Sequence, residues 1–392
     1  MAFRTTKINE KDSIKKAKEL IKDKKYNTAY KLLVSIDPDN TDPKVVLLRE
    51  DIVLEYFVQS IMHQMFALRD LNPGETIEDY RGGNGTNDMY AFEVDKVLKY
   101  LIKQYPKEYD LYEGLADFYE SVNEHYGGKW LISGDSLNDL IRDNYQVAID
   151  HNVANANAYF RVAIYMLQDD KAYRKAINYL SKAYKIDSSN ADYSYNLAYA
   201  YLYCDSRDTA LKYALTSEDK YKDPSMKGDA ERMIGEIYIE MKDTGNSIKY
   251  YEKANKTDPD NYYTLRSLLS VYVAANNLKR KEVIDTFFVL DPKNPTIYND
   301  LYDMYSDSIK GLELVAFFKS KVATYTDQAK VLGSLYFYLA RLSLDYNKPA
   351  AKDYALKAKD AFLKIFDKNN SVFAQIDKLI AIADGKDNDK GN

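Results

Sequence analysis

Large and small apolar positions recur along this chain in a fixed order. A large apolar residue is followed by a small one, and an aromatic or large apolar residue comes three positions later. The pattern occurs at Leu115-Ala116 with Tyr119, Val162-Ala163 with Met166, Leu197-Ala198 with Tyr201, and Ile234-Gly235 with Tyr238. Weaker copies follow at Leu268 with Tyr272 and at Leu301 with Tyr305. From Val162 onward the leading residues lie 33 to 37 positions apart, which marks a tandem repeat. About a dozen residues further into a unit, two small residues stand seven apart: Ala176 and Ala183, Ala210 and Ser217, Ser247 and Ala254. Seven residues make two helical turns, so both members share a face, with Leu180, Ala214 or Tyr251 between them. Small side chains let a neighbouring helix axis approach, and the larger ones fill the gaps beside them. Units close on turns such as Asp187-Ser188-Ser189-Asn190, Asp258-Pro259-Asp260-Asn261 and Asp291-Pro292-Lys293-Asn294. Proline removes a helix donor there, and Asp or Asn caps the next helix.

These residues resemble the tetratricopeptide repeat family, whose unit is an antiparallel helix pair of about 34 residues. Gly228 to Asn261 matches well, with Ile234, Gly235, Tyr238, Ser247, Tyr251, Ala254 and Pro259 where the family pattern wants such types. Ala156 to Asn190 is similar, and the stretch from about Asn9 to Asn40 matches through Ala17, Leu20, Tyr26 and Ala29. The resemblance implies an all-α fold, an α-solenoid of about eight antiparallel helix pairs in a right-handed superhelix. It divides the chain into an N-terminal helical region (1–106), a repeat solenoid (107–370), and a capping helix, Ser371 to Ala383, with a disordered tail from Asp384 (371–392). Two departures are expected. From Pro43 to Pro106 one long helix, Lys44 to Leu71, precedes a Gly-rich loop and a second helix from Met89 to Tyr105, capped by Asp88. An insertion, roughly Glu124 to Asp139, separates a helix with Leu115, Ala116 and Tyr119 from one with Ile141, Tyr145 and Ala148.

Composition narrows the picture. Among 392 residues, 46% are hydrophobic and 29% charged, enough for a core, while 9 Pro and 15 Gly leave few helix breakers. The aromatic stock is mostly tyrosine, 38 Tyr against 14 Phe and 1 Trp. A net charge of −5 without a basic run argues against nucleic-acid binding, which needs clustered Lys and Arg. The one cysteine, Cys204, excludes an internal disulfide and is expected to pack between helices. No stretch approaches the roughly 20 apolar residues of an integral membrane segment. The start, Met1-Ala2-Phe3-Arg4-Thr5-Thr6-Lys7, lacks an apolar signal core, so the chain as written is expected in the cytoplasm, or in the periplasm or envelope if a leader has been removed.

The chemistry is sparse. His63, His125 and His151 lack ligand spacing, so no metal is expected, and no cofactor motif occurs. The loop Arg81-Gly82-Gly83-Asn84-Gly85-Thr86-Asn87-Asp88 lacks the Lys-Ser/Thr ending of a phosphate-binding loop and reads as a connector. Tyr126-Gly127-Gly128-Lys129-Trp130 holds the single tryptophan. It reads as a loop pinned against its own helix pair, the alternative being a lip over a binding face. No Ser-His-Asp, Cys-His or paired-carboxylate arrangement stands out, and acidic residues such as Glu236 and Glu240 read as a solvated face. A non-enzymatic protein is expected.

In proteins of this family the first helix of each pair lines the concave surface. The resemblance therefore directs Phe160, Ile164, Tyr195, Tyr199 and Tyr203 into a groove, with Asn196, Arg232 and Arg266 nearby, suited to a peptide or partner helix. Tyrosine is also this repeat's filler, so each groove tyrosine has a packing role as its alternative. Chaperone-binding relatives hold a terminal carboxylate with Lys, Arg and Asn. Asn196 fits one such place, but Phe160, Ile164, Asp229 and Met233 replace the others, so that role is not expected. The expectation is a scaffold or adaptor binding another protein or peptide. Its alternative is a bacterial cell-envelope component that uses the aromatic groove for a peptide or glycan.

Overall fold

The computed structural model describes residues 10–62, 64–83, 87–126, 134–168, 171–305 and 308–386. The chain forms two compact units, Met1–Cys204 and Asp205–Asn392. His63, Asn84 to Thr86 and Gly127 to Trp130, singled out in the sequence, lie outside the described residues.

The first unit opens with α1 (Glu10–Lys22) packed on α2 (Tyr26–Ile36). Next comes α3 (Pro43–Glu55), whose N-terminus is capped by the Asp42 side chain. Three strands follow, β1 (Phe57–Ile61), β2 (Met65–Leu68) and β3 (Met89–Ala91), in the order β1-β2-β3 with both pairings antiparallel. The remaining helices are α4 (Val94–Gln104), α5 (Asp110–Tyr126), α6 (Gly134–Asp150), α7 (Ala156–Gln168), α8 (Tyr173–Ile186) and α9 (Ala191–Leu202). The pairs α5/α6 and α7/α8 pack as antiparallel repeats should, with Ile141, Tyr145, Ala148, Ala176, Leu180 and Ala183 buried. One continuous apolar core runs from Ala17 to Tyr193.

The sheet corrects the expected long helix from Lys44 to Leu71. The helix stops at Glu55, and Phe66, Ala67 and Leu68 are instead enclosed in β2, the central strand, which pairs with β1 on one edge and β3 on the other. The expected helix from Met89 also begins late. Met89–Ala91 pairs with β2, with Phe66 opposite Tyr90, and Glu93 precedes the helix that starts at Val94. Asp88 therefore precedes a strand and caps no helix there. The expected insertion is shorter than read, because α5 runs through Glu124 to Tyr126 and α6 begins at Gly134.

The second unit contains α10 (Arg207–Lys220), α11 (Pro224–Glu240), α12 (Thr244–Thr257), α13 (Tyr262–Ala274), α14 (Arg280–Val289), α15 (Pro295–Met304), α16 (Ser308–Val322), α17 (Ala329–Ser343), α18 (Lys348–Phe362) and α19 (Ser371–Ala383). Helix pairing follows the sequence rhythm. Ser247, Tyr251 and Ala254 are buried, and a Cβ on Gly235 would fall 2.7 Å from the Tyr251 ring, so the small residue is what admits that ring. The turn asparagines cap as expected: Asn261 accepts from the Thr264 N–H at 3.1 Å, and Asn294 from the Thr296 N–H at 3.0 Å. In the first unit Asn190 does the same for Asp192 at 2.8 Å. Phe373 and Ile376 of α19 close the end of the core over α18. Asp384, expected in a disordered tail, instead caps α19 and pairs with Lys352 at 2.7 Å.

Turns within pairs carry a shared backbone feature. Lys24 (φ 57°), Lys171 (φ 49°), Lys242 (φ 62°) and Asn276 (φ 52°) occupy the left-handed region that favours glycine.

Candidate functional site

Helix α5 carries two stripes of identical spacing. Leu111, Leu115, Phe118 and Val122 enter the core, while Glu113, Asp117, Glu120 and Glu124 run along another face. Asp51 and Glu55 stand four apart on α3, as do Asn157 and Arg161 on α7. Together α3, α5 and α7 line a cavity of about 760 Å³ within the first unit. Lys24, Tyr26, Tyr56 and the loop residues Leu71, Ile77 and Arg81 line it as well. The lining holds six carboxyl side chains and three Lys or Arg.

Hydrogen bonding orders the floor. Arg161 pairs with Glu120, and with Glu124 at 2.7 Å; Asn157 Nδ2 donates to Glu120 Oε2 at 3.3 Å. From α6, the buried Tyr145 hydroxyl lies 2.6 Å from Asp117 Oδ1 and 2.7 Å from Glu120 Oε2. A phenol has one proton to give, so one of these two bonds takes its proton from a carboxyl. Burial pushes Asp117 well above the ordinary carboxyl range, and Glu113 and Glu120 add to the rise. The Tyr145 hydroxyl thus bridges Asp117 and Glu120, the latter held by Arg161.

The neighbouring acids are shifted the same way. Burial lifts Glu113 to about 7, although the Asn155 N–H donates to it at 2.7 Å. Burial, then the Glu55 charge, lifts Asp51 to about 6. Asp51 is nonetheless open to solvent, as a group on a concave floor is. Beneath the floor Glu50 is only 1% exposed, neither of its carboxyl oxygens meets a hydrogen-bond donor, and burial raises it well above its usual range. Its Oε2 occupies the place a Cβ would take on Gly114 of α5. The cavity's other two cations, Lys24 and Arg81, are engaged by backbone carbonyls. Lys24 Nζ donates to the Glu75 carbonyl at 2.9 Å, and Arg81 donates to the carbonyls of Glu55 at 2.7 Å and Phe57 at 3.1 Å. Among the described residues no Lys or Arg forms an ion pair with Asp51, Glu55, Glu78 or Asp117.

The residues directed to the groove by resemblance have varied surroundings. Phe160 is half-buried with its ring 5.0 Å from Tyr193, and Ile164 and Tyr195 are half-buried too. The Asn196 amide donates to Asp192 O of its own helix at 2.9 Å. Tyr199 and Tyr203 do come together, 4.7 Å apart, and Tyr203 stacks on Tyr173 at 4.8 Å while remaining 53% exposed. In the second unit Arg232 lies 3.4 Å from Asp229 and 3.9 Å from Glu236, both on α11. Arg266 donates to Asp300 at 2.8 Å, and Tyr262 donates to the same carboxylate. Cys204 sits half-buried in the turn after α9. The ring Nδ1 atoms of His125 and His151 lie 2.8 Å and 2.9 Å from the carbonyls of Ser121 and Val147. Among the described residues no three His, Cys, Asp or Glu side chains could hold a metal ion, and no helix is long and apolar enough to cross a membrane.

Sequence reading misses the acidic cavity because it extends the α3 helix to Leu71 and treats acidic residues as a solvated face. The available signal was the second stripe on α5, four carboxyls repeating the spacing of the core residues.

A family model described as "Tetratricopeptide repeat" matches residues 233–261, most of α11 and α12. No curated protein sequence matches the chain. Similar solved structures include a tetratricopeptide repeat protein from Parabacteroides merdae, 15% identical, covering 69% of this chain and 98% of that one with a TM-score of 0.43. The MamA protein is 18% identical over 46% of this chain and 89% of its own, with a TM-score of 0.37. YrrB, described as a TPR protein with an unusual peptide-binding site, is 14% identical over 60% of this chain and 97% of its own, with a TM-score of 0.33. The matched segment is set among helix pairs of the same build, so this chain carries a tetratricopeptide repeat at α11 and α12.

Proposed function

We propose that the chain is a non-enzymatic scaffold that holds a segment of another protein in the cavity lined by α3, α5 and α7. One observation carries this reading: three first helices turn polar side chains to a common cavity, while α4 and α6 contribute no lining residue. Repeats of this build set a shape, and the residues on the open face choose the partner. The exposed Tyr203 ring, packed with the half-buried Tyr173 and Tyr199, provides a further contact in the same unit, since a tyrosine at the surface adds area at low entropy cost.

The test is affinity capture from the native host with wild type, Thr76→Trp and Tyr199→Ala/Tyr203→Ala. Thr76 is an exposed lining residue, so a tryptophan there obstructs part of the cavity. A protein retained by wild type and lost from Thr76→Trp supports the site. Equal recovery removes it, and a wild type that retains nothing above a blank resin removes the scaffold reading. The tyrosine variant is expected to lower recovery without abolishing it.

A further inference from the structure

Resting on the scaffold reading, we infer that the segment held in the first unit's cavity is basic, presenting lysine or arginine side chains to the acidic faces of α3 and α5. The charge balance points there. Six lining carboxyls face three cations, and those cations are spent on Glu120 and Glu124 or on backbone carbonyls. Asp51, Glu55 and Glu78 reach the cavity solvent without an ion pair among the described residues. Burial has raised Asp51 and Asp117, both of which line the cavity, and an arriving cation favours their charged forms.

Size and lining fit side chains on an extended segment. About 760 Å³ has room for several of them and none for a folded domain. The Tyr26 and Tyr56 rings, stacked 4.0 Å apart, lie with Leu54 and Ile77 along the cavity and offer an apolar flank for the stem of a lysine or arginine. A bare divalent ion fits less well, because the acids do not converge on a point.

The experiment uses the full-length chain and three probes at low and moderate salt: a fluorescent Lys-Ala octapeptide, its Glu-Ala counterpart, and spermine. The lysine peptide is expected to bind and the glutamate peptide not. Asp51→Asn/Glu55→Gln is expected to weaken lysine-peptide binding by about tenfold or more, and Glu78→Gln, which leaves the helices untouched, by less. Asp353→Asn/Asp360→Asn, which removes two exposed acids of α18, is expected to leave binding unchanged. Equal binding by wild type and both cavity variants overturns the inference. So does spermine binding as tightly as the peptide, which would mark a small-polyamine site. If wild type captures a host partner that Thr76→Trp loses, yet binds no lysine peptide, the basic-segment inference falls and the scaffold reading stands. If the lysine peptide binds but no host protein is captured, the scaffold reading falls.

Discussion

Tyr145 shows how much can rest on one hydroxyl. It stands between Asp117 and Glu120, both deep in the first unit, and shares two short hydrogen bonds of which it can donate one. Tyr145→Phe keeps the ring's packing but leaves two sunken acids short of a partner. The expected cost is about 1–3 kcal/mol, read as a fall in the urea midpoint. Glu50→Gln is the contrasting case. The amide keeps the shape and removes the charge that burial disfavours at Glu50, so its melt is expected to stay close to wild type. A large loss from Glu50→Gln would show that the charged carboxylate is needed.

The three-stranded sheet replaces a stretch of helix in an otherwise helical chain, and Phe66 of β2 is its buried anchor, with its ring 6.5 Å from Phe57. Phe66→Ala is expected to cost about 3–5 kcal/mol by cavity formation, checked by chemical unfolding. The same region marks how far the fold can be read from sequence. Where small and large residues alternate to let helices nest, as at Gly235 and Tyr251 or Ala176 and Ala183, the pattern is itself the packing, and the pairs are readable. Between Tyr56 and Ala91 a short apolar run fits either a helix or a covered strand, and only the partners across the sheet decide. The cavity inherits that ambiguity, since part of its lining comes from this region. The tyrosines divide likewise: Tyr199 and Tyr203 meet at the surface, whereas Tyr145, Tyr272 and Tyr298 have the same composition and lie in the core. Only tertiary contacts tell the two apart.

For the whole molecule, the acids predict a dependence on pH. Asp51, Glu50, Glu113 and Asp117 all have folded-state values raised above those of an unfolded chain, near 4. The folded state then binds more protons, so their contribution is full below about pH 4 and is lost as the pH climbs through the 6 and 7 of Asp51 and Glu113. Glu75, lowered to about 2 chiefly by the Asn72 backbone N–H, acts oppositely, and so do Asp243, Glu252 and Asp384; their contribution is lost as the pH falls below about 4. Melts followed by circular dichroism should therefore have their highest midpoint in mildly acidic buffer and decline from pH 5 to pH 8. A midpoint that is flat or rising over that interval would contradict the assignment of raised acids. The left-handed turns have an effect of another kind. A lysine there costs about 1–2 kcal/mol, which glycine avoids at the expense of some unfolded-state entropy. Lys171→Gly and Lys242→Gly should each stabilise by about 0.5–1 kcal/mol, whereas Asn276→Gly should gain little, because asparagine tolerates that conformation. Thermal headroom in this chain thus resides in its bends, where it can be raised without disturbing any helix face.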